Sequence, residues 1–410
     1  MRPTPTRLSI GVVLLSMILA METIHCIVAS QLTLEAQGLL QLKTSIEDPN
    51  DHLSSWSSAS NQTNDNPAPS TTSPCAWIGV TCNLSGSVVS LDISNLNLSG
   101  TLPDHAFSLL PSLSTLNISC NAFSGTFPSS TIFSLPELHS LDISRNFFIG
   151  ELVIPASASP RLAFLSAFSN NFTGPLPSGI NHTYGSLEHL DLGGSYFQGT
   201  IPASYGHLIS LKYLGLAGNL LSGEIPRDLG SLSSLEFLFL GYNQYTGGIP
   251  AELGNLTSIQ YMDLCCTNLS GPIPPEFGNL KQLNTLFLYR NGLSGHIPPE
   301  LGRMNSLMSL DLSVNNLIGH IPDELGELKS LTLLSLMYNN LNGSMPQGIG
   351  DLPNLLTLLI WNNSFSGELP QQLGTNSPLQ WLDVSSNFFQ GPIPPNLCLH
   401  SNLTKLILFK

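Results

Sequence analysis

Charged side chains are scarce. Lys, Arg, Asp and Glu make up 10% of the 410 residues, against roughly a quarter in an average soluble domain. Only 13 are basic and 27 are acidic, for a net charge of −14. A chain so poor in Lys and Arg has no electrostatic footprint for nucleic acid, which excludes a general nucleic-acid binder. It favours a neutral or basic partner instead. Long apolar runs are also missing. The longest, Ile10 to Ala20, is too short for a bilayer span of about 20 residues. There is no GxSxG, no kinase glycine loop, no HRD and no DFG, so hydrolase and kinase chemistry have no carrier here. The ten His show no metal-ligand spacing. His296 and His320 both precede Ile-Pro and read as exposed positions of a ladder. No enzyme site, cofactor or metal is expected.

What is present is apolar and rich in turns. Hydrophobic residues reach 42%, with 35 Gly and 30 Pro. That is too apolar for a disordered chain. Length alone would suggest two or three domains, but one repeating unit accounts for most of it.

Residues 1–30 read as a secretory signal. Arg2 and Arg7 precede the apolar core, and small residues at Val28, Ala29 and Ser30 offer a cleavage site. Eleven Asn-x-Ser/Thr acceptors follow: Asn61, Asn83, Asn97, Asn117, Asn171, Asn181, Asn255, Asn268, Asn342, Asn362 and Asn402. Together with a signal they predict a glycosylated extracellular chain. Cys75 and Cys82, with six residues between them, are expected to pair in that oxidising compartment. Cys120, Cys265, Cys266 and Cys398 are expected as free thiols packed between turns.

The pattern LxxLxLxxNxLxGxIPxxLGxL recurs from Val88 to the end. Its glycine falls at 100, 125, 150, 174, 199, 223, 247, 271, 295, 319, 343, 367 and 391, in steps of 24 or 25. Alternating leucines in LxL predict one short strand per repeat with an apolar face. Glycine permits positive φ, and the proline of GxIP holds the return path extended. The pattern asparagine, present in ten repeats from Asn121 to Asn387, is placed to bond backbone groups of adjacent turns. A single repeat cannot bury its apolar face, so stacking is required.

This pattern resembles the plant class of leucine-rich repeats, whose signature is LxGxIP. The resemblance implies an α/β solenoid: a right-handed superhelix with a parallel β-sheet on its concave face and short 3-10 or irregular turns on the convex face. It divides the chain into a signal at 1–30, an amino-terminal cap at 31–87 and repeats at 88–410. Gln31 to Trp56 would hold an amphipathic cap helix, and Cys75 to Cys82 with Trp77 and Gly79 resembles the cap's cysteine pair. Asn61 to Ser73 reads as a polar loop.

Function on such a scaffold is read from the residues beside the strand leucines. Repeats one to three place no aromatic there, and Asn117 would carry a glycan on that face. Repeats four to thirteen place twelve: Phe164, Phe168, Tyr213, Phe237, Phe239, Tyr242, Tyr261, Phe287, Tyr289, Tyr338, Trp361 and Trp381. Asp191, Asp263, Asp311 and Asp383 are interleaved. Exposed ladders of this kind mark interaction sites. The strip covers nine strand spacings, about 43 Å, enough for an extended peptide of about a dozen residues.

Leu192 to Phe197, Thr285 to Leu288, Ile360 to Asn363 and Lys405 to Phe409 resemble plant receptor kinases for tracheary element differentiation inhibitory factor and related CLE-type peptides. That resemblance implies a short secreted peptide as ligand and a co-receptor kinase with fewer repeats as partner. It carries ligand contacts onto Asp263, Phe287, Tyr289, Asp311, Trp361 and Asp383, and the ladder adds Tyr213, Phe239, Tyr261 and Trp381. The Arg-x-Arg pair of those receptors, their carboxyl-terminal cap, membrane helix and kinase have no counterpart up to Lys410, as expected of a partial or truncated receptor. A secreted inhibitor of fungal polygalacturonases and a kinase-less receptor-like protein stand as alternatives.

Overall fold

The repeat pattern forces a stack of short strands, and the computed structural model has that architecture. It describes residues 34–57, 73–155, 161–181 and 184–409. The signal at 1–30, the acceptor Asn61 and most of the polar loop lie outside them. The described chain forms two compact units, divided at Phe148 and Ile149. The division falls where the repeat pattern slips: Gly150 is followed by Ile154-Pro155, two residues later than GxIP requires.

In the first unit, residues 34–44 form the cap helix. Leu39 and Leu42 are its buried face, and Gly38 lets it approach closely, because a Cβ there would lie 2.7 Å from the Ala106 carbonyl. Cys75 and Cys82 form a disulfide. Trp56 and Trp77 stack at 5.9 Å, and the Trp56 indole donates to the Ile78 carbonyl at 2.8 Å. Val80–Cys82 pairs antiparallel with Val88–Asp92, which begins a parallel sheet continued by Thr115–Asn117 and Ser140–Asp142.

Glu35 on the cap helix is buried, and one carboxylate oxygen accepts the Val88 N–H at 3.2 Å. Its other oxygen has no partner among the described residues. Burial pushes its carboxyl up from the ordinary value, against the opposing pull of the Val88 N–H. The folded unit therefore binds more protons than the unfolded chain once the pH exceeds about 4.3. Its stability should fall as pH rises from there through the raised folded value. Glu35→Gln keeps the acceptor for Val88 and should flatten that slope. Thermal midpoints between pH 4 and 7 read it directly, and an unchanged slope would exclude Glu35 as its source.

In the second unit, eleven parallel three-residue strands run from Phe164–Ser166 to Lys405–Ile407. Their register is in phase throughout: Tyr213 pairs with Phe237, Phe237 with Tyr261 and Tyr261 with Thr285. The middle residue of each strand from Leu165 to Leu382 is buried, and its two flanking residues project from the opposite face. From Pro202 to Pro322 each repeat proline is followed by a single 3-10 turn, such as Arg227–Ser231 and Pro299–Arg303, whose leucine is buried, and Pro346 by one α-helical turn, Gln347–Gly350. A Cβ at Gly302 would sit 2.3 Å from the Glu324 carbonyl, so only glycine lets these turns stack.

All thirteen LxG glycines have positive φ, from 76° to 111°. The asparagines bond to neighbouring turns as a ladder, interrupted at Ser195 and Thr267. Asn243 donates to Leu216 O of the previous repeat at 2.9 Å and to Leu240 O at 3.0 Å, and accepts Leu221 N–H at 3.0 Å. Thr267, in the asparagine position of its repeat, donates instead to the Asn291 carboxamide. Lateral strands follow the asparagine positions and form two sheets among the described residues, broken between Gln244–Tyr245 and Ser270–Gly271, with phenylalanines such as Phe172 and Phe197 stacked inside at 5.9 Å.

The free cysteines differ in setting. Cys265 is buried, and Cys120 and Cys266 are half-buried. Cys398 corrects the expectation of packing: it is exposed, because the turn buries the preceding Leu397 and projects Cys398 outward. No helix among the described residues is long and apolar enough to cross a membrane.

Candidate functional site: an oblique string of aromatic rings

On the strand face of the second unit, side chains stand in files along the sheet. Phe164, His189, Tyr213, Phe237 and Tyr261 occupy the first strand position, and Phe239, Asp263, Phe287 and Asp311 the third. The rings do not stay in one file. Phe164 stacks on His189 at 4.3 Å, and His189 on Tyr213 at 4.2 Å. Tyr213 then leans across the sheet to Phe239 at 5.3 Å. Gly215 makes the crossing possible, since a Cβ there would meet the Tyr213 ring at 2.9 Å and the Asp191 carboxylate at 2.5 Å.

From Phe239 the string continues to Tyr261 at 4.9 Å, to Phe287 at 5.7 Å and to Tyr289 at 5.9 Å. It ends where the Tyr289 and Tyr242 hydroxyls meet at 3.2 Å. Spacings of 4.5–7 Å are those of attractive ring pairs. The rings are therefore held before any ligand arrives, which lowers the ordering entropy of binding. His189 and Gly215 were missed by a reading that counted only Phe, Tyr and Trp; the signal was histidine in the aromatic column and glycine one position beyond a tyrosine.

The phenols serve as neutral donors. Burial raises the Tyr213 phenol, aided by the Asp191 carboxylate that accepts its hydrogen bond at 3.3 Å. Burial raises Tyr261 and Tyr289 as well. It also holds the Cys265 thiol up, which leaves it protonated and unreactive.

The carboxylates have a second duty. In each of Asp191, Asp263 and Asp311, Oδ1 accepts the backbone N–H two residues on, at 2.9–3.0 Å. Asp92 and Asp142 of the first unit make the same bond. This column is thus a brace for the strand-to-turn bend in both units. At Asp263 and Asp311 Oδ2 is left for a ligand, while at Asp191 it accepts the Tyr213 hydroxyl. Burial also pushes the Asp263 carboxyl up.

Beyond the string, the strands Ser309–Asp311 and Leu333–Ser335 carry no ring. Aromatics resume with Tyr338 and Trp361, edge to face at 4.4 Å. Two residues expected on the exposed strip depart from it. Asp383 is buried, with Oδ1 bound to the Ser385 N–H and hydroxyl. Lys405 lies over the Trp381 ring at 4.1 Å, and the Trp381 N–H is buried without a partner among the described residues. The cause is the neighbouring strand Lys405–Ile407, which closes over both.

Of the glycan acceptors, Asn83, Asn97, Asn255, Asn268, Asn342, Asn362 and Asn402 are exposed, and Asn117, Asn171 and Asn181 are half-buried. Asn117 is engaged in the sheet, donating to Asp92 and accepting from Ser119.

Residues 32–83 match the family model for the leucine rich repeat N-terminal domain. Seven segments, six of them running from 186 to 328 and the last at 378–399, match the leucine rich repeat itself. The chain belongs to the leucine-rich-repeat proteins. Among solved structures this leucine-rich-repeat chain is similar to a TDR receptor, with 48% identity and a TM-score of 0.76 over 78% of this chain and 55% of that one. It is also similar to the Arabidopsis receptor kinase HAESA, solved with the peptide hormone IDA and the co-receptor SERK1. There the identity is 38% and the TM-score 0.80, over 92% of this chain and 61% of that one. A leucine-rich repeat receptor-like serine/threonine-protein kinase of Arabidopsis thaliana, SKM1, is 46% identical over 90 residues, 22% of this chain and 8% of that protein. The chain thus spans little more than half of the matched receptor structures.

Proposed function

We propose that this chain is the extracellular ligand-binding region of a plant leucine-rich-repeat receptor, and that it perceives a short CLE-type peptide on the strand face of its second unit. The observation that carries this reading is the string of touching rings from Phe164 to Tyr289. A monomer with nothing to bind has no reason to keep so many half-exposed aromatics in register. Likeness to the TDR receptor and to HAESA with its peptide hormone supports it. By the same likeness, a co-receptor kinase with fewer repeats is the partner of the longer receptor. Secretion and glycosylation belong to this reading.

The peptide's apolar side chains would pack on the rings. Its acceptors would meet the phenols, and its donors the free Oδ2 of Asp263 and Asp311. Trp361 and Tyr338 would hold the far end. Asp311→Asn separates the two duties of that residue, because the amide oxygen still accepts the Ser313 N–H while the charge is gone. Titration of a labelled CLE-type dodecapeptide should show roughly tenfold weaker binding to Asp311→Asn, the size of one lost charge-assisted contact. The thermal midpoint should not move. Equal binding by both proteins would remove Asp311 from the site. No binding by the parent chain, alone or joined to the further repeats of a longer receptor, would overturn the reading.

A further inference from the structure

We propose that Asn171 carries an N-linked glycan whose first sugars lie over the two exposed apolar side chains that flank it on the lateral sheet, Ile149 and Tyr196. This rests on the reading that the chain is secreted. Tyr196 is 53% exposed and Ile149 49%. Asn171 sits between their strands, whereas Leu220 pairs with Gln198 and lies farther along the sheet. Strand Asn171–Pro175 is parallel to Phe147–Glu151 on one side and to Tyr196–Gly199 on the other. Asn171 pairs with Ile149, and Thr173 of the same acceptor triplet pairs with Tyr196. Phe172 between them is fully buried, so alternation turns Asn171 and Thr173 outward, onto the face that bears Ile149 and Tyr196.

The Asn171 amide makes no hydrogen bond among the described residues, so Nδ2 is free to be modified. In the transfer, Nδ2 forms a bond to C1 of the first sugar of a lipid-diphosphate oligosaccharide. The bond from C1 to the diphosphate breaks, the lipid diphosphate leaves, and the amide loses one proton. Strand spacing is about 4.8 Å, so a sugar on Asn171 reaches Ile149 directly and Tyr196 on the diagonal. A pyranose presents a face of C–H groups that suits an aromatic ring. Its hydroxyls on the opposite face then meet water, which covers the apolar pair without creating a new apolar surface.

Asn268 provides the internal reference. It is exposed, and the strands flanking it open on Gln244 and Gly292 rather than on large apolar side chains.

The test uses the full secreted chain. Glycopeptide mass spectrometry should find Asn171 occupied; an unmodified Asn171 would overturn the proposal. A peptide N-glycosidase is then applied to the native protein, and release is followed at Asn171 and Asn268. In Tyr196→Ser and Ile149→Ser, release at Asn171 should quicken by about three- to tenfold, the weight of a lost aromatic or apolar contact, while Asn268 stays unchanged. Equal release rates in parent and variants would mean the sugar does not rest on these side chains. Both replaced residues are half-exposed, and an unchanged thermal midpoint verifies the fold. Peptide binding should be the same in all of these proteins, so failure here is separable from failure of the receptor reading.

Discussion

Asn315→Ala is expected to cost the chain about 3–5 kcal/mol and to stop its secretion. The carboxamide is buried and fully used. It donates to Leu288 O and Leu312 O at 3.0 Å and to Ser313 O at 3.1 Å. It accepts the Leu293 N–H at 3.0 Å. Alanine removes all four bonds and leaves a buried N–H with no partner. That orphan group alone costs about 1–3 kcal/mol, more than the net worth of a made bond. The damage spreads, because Leu288 and Leu293 belong to the preceding repeat and each repeat leans on its neighbours. Urea unfolding gives the magnitude, and hydrogen exchange at the Leu293 amide gives the place. Asn315→Thr should be milder, since Thr267 fills the same position with one hydroxyl donor. A loss under about 1 kcal/mol for Asn315→Ala would mean that water reaches the ladder, and the account of the asparagine column would fail.

The ladder was legible in the sequence because it is periodic. Thirteen glycines in step required thirteen equal turns, and all of them have the positive φ that the pattern demands. The cap was legible for a different reason: its two cysteines lie close in sequence, with Trp77 between them. The strand face was legible only as a list of outward positions. Which of them touch depends on geometry that no single column carries. Tyr213 could have stayed in its own file; Gly215, two residues on, decides that it crosses to Phe239.

The aspartates show the opposite error. Asp191, Asp263, Asp311 and Asp383 are interleaved with the aromatics, and the last three read from sequence as ligand contacts. Asp92 and Asp142 do the same structural work where no ligand is proposed. A carboxylate that braces a bend and one that waits for a ligand have the same spacing, so only the hydrogen bond tells them apart. Burial of Asp383 and the covering of Trp381 come from a strand more than twenty residues away, which a column-by-column reading does not weigh.

Phe287→Ala should weaken binding of a CLE-type dodecapeptide by at least about 30-fold, the mark of an interface hot spot. Phe287 is the junction of the string. Its ring lies edge-on to Tyr261 at 5.7 Å and to Tyr289 at 5.9 Å, and among the described residues no other ring connects those two. Removing it takes away contact area and leaves, among the rings of the string, only Phe239 against Tyr261 and only Tyr242 against Tyr289, so the ligand must order more of the string on arrival. Stability should move by less than about 1 kcal/mol, because the ring is half-exposed and the core is held by Leu286 on the other face of the strand. That contrast separates a binding role from a packing role. A buried ring such as Phe172 would lose about 3–5 kcal/mol of stability on the same truncation. Calorimetric titration beside thermal unfolding reads both quantities. If Phe287→Ala bound within about threefold of the parent, the string would be a packing feature of the sheet, and the ligand would have to be sought on the ringless strands around Asp311 or at the Tyr338–Trp361 pair.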